Sequence, residues 1–166
     1  MPTLIAIPLL SLLLVLQSAV INRLPLLQGV PDLILLVVTA WALQERVRSA
    51  WQWAIIGGLL VGYLSVLPLA IPLGSYLFAT LLALAFRRRI WQVPILAVFA
   101  VIFVSSIANQ LVTALYLSIS GSLITWLDAL NLIVLPSLIL NLILVVPIYA
   151  LIKDLAEWLH PEDLEI

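Results

Sequence analysis

The chain has 166 residues, 65% of them hydrophobic and 9% charged, with a formal net charge of −1. A soluble domain carries about 25% charged residues, so a water-solvated globule is excluded, and so is a disordered chain, which needs low hydrophobicity and high charge. No cysteine and a single histidine leave no disulfide framework, thiolate metal site or multi-histidine centre, and the seven basic residues form no patch to follow a nucleic-acid backbone.

Apolar runs long enough, or nearly so, to cross a bilayer core of about 30 Å predict an all-α polytopic membrane protein, a compact bundle of six transmembrane helices. The first covers about residues 3–21 and stops at Asn22-Arg23. It lacks the basic region and small-residue cleavage site of a signal peptide, so it reads as a retained helix. The second starts near Val30-Pro31-Asp32 and ends at about Leu43. Pro31 suits a first helical position and the Asp32 carboxylate complements a helix N-terminus, here the outer one.

The third span covers about residues 51–67. Ala54, Gly58 and Gly62 stand four apart on it with Gly57 adjacent, a small-residue face for close packing of another span or of a partner. Pro68 and Pro72 mark the turn into the fourth, about residues 71–86, and the fifth covers about 94–117. On the fifth, Ser105, Asn109 and Thr113 recur at i, i+4, i+8, with Ser106 and Gln110 beside them. In the sixth, about residues 132–152, Ser137 and Asn141 repeat the four-residue step, while Pro136 and Pro147 are expected to bend or loosen the helix. These hydroxyls and amides read as interhelical glue between spans five and six. A polar solute cavity is the alternative. Residues 153–166 form an amphipathic, then acidic, tail.

Six spans place Arg46, Arg48, Arg87, Arg88, Arg89 and Lys153 on one side and Arg23 on the other, which puts both termini in the cytoplasm. Trp41, Trp51, Trp53, Trp91 and Trp158 fall near the same side, as an aromatic belt would, and Trp126 marks the outer face. No ionisable side chain falls in the middle of a predicted span, and motifs for phosphate binding, zinc hydrolysis or a nucleophile elbow are missing. The expectation is a non-enzymatic membrane protein, without a cofactor, that works by being bound.

Several segments together resemble the rod shape-determining protein MreD family. They are Pro31-Asp32-Leu33 opening an apolar span, Gly57-Gly58-Leu59-Leu60-Val61-Gly62, Pro72-Leu73-Gly74, and Leu135-Pro136-Ser137-Leu138-Ile139-Leu140-Asn141 leading to Pro147-Ile148-Tyr149. They occur in the family's order and cover nearly the whole chain. An aspartate that the family often carries after the glycine-rich span is replaced here by Tyr63-Leu64-Ser65-Val66. The resemblance implies a scaffold subunit of the bacterial inner membrane. Such a subunit binds MreC and is linked with MreB, RodA and the transpeptidase of lateral peptidoglycan synthesis. It also implies a fold similar to the substrate-binding components of energy-coupling-factor transporters. That kinship makes a vitamin-type solute-binding component the alternative function.

Overall fold

The computed structural model describes residues 2–19, 29–87, 94–121 and 128–160. The described residues form six α-helices and no strand: α1 Pro2–Ala19, α2 Leu33–Leu43, α3 Ala50–Leu64, α4 Ala70–Phe86, α5 Pro94–Ile119 and α6 Leu135–Leu159. A π-helical segment, Ala129–Val134, leads into α6. It lies directly before Pro136, which has no N–H to donate one turn back, and local widening of this kind is how a helix accommodates a proline. Two helices are long and apolar enough to cross a bilayer, Leu96–Ile119 and Leu135–Leu159. By length alone, then, two spanning helices stand where the sequence suggests six. The other four have 18, 11, 15 and 17 residues.

The shortest helix is the centre of the fold. Every residue of α2 is buried, and it packs against α1, α3, α4, α5 and α6. Its sequence explains this: LILLVVTAWAL is apolar all round, as a helix wrapped on every side must be. It begins after the Gly29-Val30-Pro31 stretch, with Asp32 as N-cap. Gly29 is there because the break presses onto α6. A Cβ at that position would meet the Pro136 carbonyl carbon at 2.6 Å.

Contacts at one end of the bundle fix how the helices run. Arg87 donates from Nη1 to the carbonyls of Val47 at 3.0 Å and Gln44 at 3.4 Å, Arg46 donates to the His160 carbonyl at 3.3 Å, and the Thr3 hydroxyl donates to Gln52 Oε1. The start of α1, the end of α2, the start of α3, and the ends of α4 and α6 therefore meet at one arginine end. Trp41 and Trp53 do not join an interfacial belt there. Both are fully buried and stack on each other with centroids 4.2 Å apart, and Trp41 Nε1 donates to Ser49 Oγ at 3.2 Å. Trp51 and Trp158 are the exposed pair; Trp91 and Trp126, like Arg23, Arg88, Arg89 and residues 161–166, lie outside the described residues. α6 runs without a break past Ile152, and both Ile152 and Ala156 are in the core.

The small-residue face of α3 is filled from within the chain. A Cβ on Gly58 would sit 2.7 Å from the Cα of Leu73 on α4, one on Gly62 would sit 2.6 Å from Leu69 Cδ1, and one on Gly57 would sit 3.0 Å from Ile34 Cγ2 of α2. Ala54 is likewise fully buried. The partner option for this face is thereby corrected: these residues let α3 close on α4 and α2. The outward surface is built instead from large apolar side chains, among them Leu12, Val15, Leu81, Leu96, Phe103, Leu115, Ile143 and Leu151.

Candidate functional site

The start of α2 would leave its first N–H groups without partners, and in an apolar bundle there is no solvent to supply them. The chain supplies them from Asp32 itself and from two other helices, α1 and α6. Asp32 Oδ1 accepts from Leu35 N at 2.9 Å, Gln17 Oε1 of α1 accepts from Leu33 N at 3.1 Å, and Asn141 Oδ1 of α6 accepts from Asp32 N at 2.8 Å. One residue before Pro31, Val30 N donates to Ser137 Oγ at 3.0 Å. The carboxylate then takes two further donors. Tyr76 of α4 brings its hydroxyl to within 2.9 and 3.0 Å of the two oxygens, and Asn109 Nδ2 of α5 lies 3.1 Å from Oδ2. Asn141 Nδ2 closes the network onto Ser106 Oγ at 3.0 Å.

Asp32 and Leu33 together thus join five helices at the start of α2. The carboxylate faces the positive end of the α2 dipole and three neutral donors. Two sequence expectations change. Pro31 precedes the cap instead of opening the helix, whose first residue is Leu33. Asp32 is also enclosed by the bundle and not a surface cap: Tyr76, Asn109 and Asn141, which surround it, lie well inside their helices. The glue residues also act differently than as a simple clasp between the last two long helices. Asn109, Ser137 and Asn141 spend most of their hydrogen bonds on the break before α2, and it is Ser106, not Ser105, that ties α5 to α6. Gln110 and Thr113 are half-buried and outside this network; Ser105 is 1% exposed and its hydroxyl has no hydrogen-bond partner.

Sequence reasoning missed Tyr76 and Gln17. The signal for Gln17 was present, since a lone amide within an apolar helix needs a partner. Tyr76 carried none, because a tyrosine near a helix start reads equally well as an interfacial anchor.

On the outward side of the same helices, α4 and α5 form an apolar groove of about 440 Å³ lined by residues including Ala70, Ile71, Gly74, Phe78, Ala108 and Val112. Gly74 forms an open part of its floor, with nothing within 4 Å of where a Cβ would stand. Among the described residues no three His, Cys, Asp or Glu side chains gather as a metal site. No protein-family model, no curated protein and no solved structure matches the chain.

Proposed function

We propose that the chain is a non-enzymatic membrane scaffold of the MreD type, lying in the inner membrane with both termini cytoplasmic and all six helices crossing or entering the bilayer. Its partner is MreC, and through it the chain serves the MreB, RodA and transpeptidase machinery of cell elongation. The observation that carries the reading is the division of the surface from the interior. The Asp32 carboxylate and the Asn109 and Asn141 amides are hydrogen-bonded to other parts of the chain, while what is left outside for recognition is apolar and includes an open groove. A groove with a glycine floor suits the close approach of a single transmembrane helix. The order of the Pro-Asp, Gly-rich and Leu-Pro-Ser segments supports the family assignment. A solute-binding component is less well supported, because amides committed to Asp32 and Ser106 are not free to hold a ligand.

The test is affinity capture of the intact tagged chain from its native membrane. MreC is expected to accompany the wild-type protein and to be lost from Gly74→Leu, whose side chain would enter the groove from a position where a Cβ meets nothing within 4 Å. A wild-type capture without MreC overturns the function; MreC retained by Gly74→Leu removes the groove as its seat. Fusion reporters at residue 166 and at Gly121 should read cytoplasmic and periplasmic respectively.

A further inference from the structure

Tyr76 and Asn109 hold the Asp32 carboxylate from α4 and α5, and their immediate neighbours in sequence, Ser75 and Ala108, line the groove on the outward side of the same two helices. Both walls of the groove are therefore pinned to one carboxylate behind it. A cleft held in this way lowers the ordering cost of whatever binds there.

Two features of the α4 wall set it apart from the rest of the apolar surface. Gly74 opens its backbone to the groove, with nothing within 4 Å of a Cβ built there, and Ala70 stands one turn before it. The comparable face of α3 is already closed, because Gly58 and Gly62 meet Leu73 and Leu69. Beside Gly74, Ser75 is the one polar side chain among the lining residues. It is 9% exposed, and its hydroxyl makes no hydrogen bond to any described residue. A helical serine ordinarily satisfies itself on a carbonyl three or four residues back. Ser18 does so on Val15, Ser118 on Ala114 and Ser120 on Tyr116. The Ser75 hydroxyl is left for something that enters the groove, and a hydroxyl so far buried gains free energy from a partner.

We infer that the groove seats one transmembrane helix whose contact face carries a small residue against Gly74 and, within one turn of it, a hydroxyl or amide side chain that hydrogen-bonds to Ser75. The inference rests on the scaffold reading and adds the chemistry that its partner must carry. A lipid acyl chain would fill the groove but bring nothing to the hydroxyl. A helix does both: its backbone comes close at the glycine, and a Ser, Thr, Asn or Gln on it completes a bond of the kind that ties helices together in membranes. Ser75 thereby sets the register, since a slip of one residue turns the partner's polar group away by about 100°.

The chain has no cysteine, so Phe78→Cys at the rim of the groove, where the native side chain is 41% exposed, carries a photoreactive maleimide probe at a single position in native membranes. The expected product is a protein adduct whose linked peptide is a transmembrane segment with a small residue and a hydroxyl or amide side chain within one turn of each other. An adduct to lipid alone, an adduct to a segment lacking that pair, or no adduct overturns the inference. Adding Ser75→Ala should lower the yield roughly threefold or more and leave the unfolding midpoint of the purified chain unchanged or higher, because no hydrogen bond within the fold is lost. A yield equal to that of the serine protein, or a lowered midpoint, overturns Ser75 as the specifying contact. An adduct of the expected kind on a helix other than that of MreC would uphold this inference and overturn the partner named above, so the two fail separately.

Discussion

Asp32→Ala is expected to cost about 3–7 kcal/mol of stability, the largest loss of any single polar substitution among the described residues. The figure has two sources. Loss of the cap frees Leu35 N and costs about 1 kcal/mol. The Tyr76 hydroxyl and the Asn109 amide then lose their shared acceptor, and each buried donor left unpaired costs about 1–3 kcal/mol. Asp32→Asn separates the two, because asparagine caps a helix nearly as well as aspartate but presents one oxygen where two donors converge. It should lose about 1–2 kcal/mol. Reversible denaturant unfolding in detergent, followed by the near-ultraviolet signal of the stacked Trp41 and Trp53, measures both. A loss below about 1 kcal/mol for Asp32→Ala would mean that the carboxylate is no more than a surface cap.

Gly58→Ala should be the most damaging substitution among the glycines within α3 and α4. Its new methyl would meet the Leu73 Cα at 2.7 Å and Cδ1 at 2.9 Å. A backbone atom cannot swing away as a side-chain tip can, so α3 and α4 must part along their length. Overpacking of this kind costs about 1–3 kcal/mol. Gly62→Ala should cost less, because its closest neighbour is the mobile end of Leu69. Gly74→Ala meets nothing within 4 Å and should be neutral or stabilising by about 0.5 kcal/mol through helix propensity. The unfolding midpoints should therefore rank Gly74→Ala above Gly62→Ala above Gly58→Ala. If Gly58→Ala unfolds together with Gly74→Ala, the close approach of α3 and α4 is absent.

Apolar runs and their punctuation were enough to locate the helices. Expected segments at about 71–86 and 94–117 correspond to Ala70–Phe86 and Pro94–Ile119, because Pro72, Pro94 and the arginines mark local boundaries that need no knowledge of the fold. The value of each polar residue was less legible. Helical spacing put Ser105, Asn109 and Thr113 on one stripe, but spacing on one helix cannot say what faces it, and of the three Asn109 alone joins the network at Asp32. Asp32 followed the same pattern: its capping role was readable from Pro31-Asp32, whereas its burial depends on four other helices converging around it. Trp41 and Trp53 were misplaced for a similar reason. An indole at a span end is normally interfacial, and only the enclosure of α2 turns this pair inward.

That enclosure sets the order in which the protein can be made. Gln17, Tyr76, Asn109 and Asn141 all hold the first turn of α2, and the last of these lies 109 residues beyond Asp32. When α2 leaves the ribosome, most of its neighbours have yet to be translated, and an 11-residue segment is too short to rest across lipid by itself. The helix must wait, and settles only when the final third of the chain arrives to enclose it. A fragment truncated before Asn141 should therefore remain open to protease at Val30-Pro31.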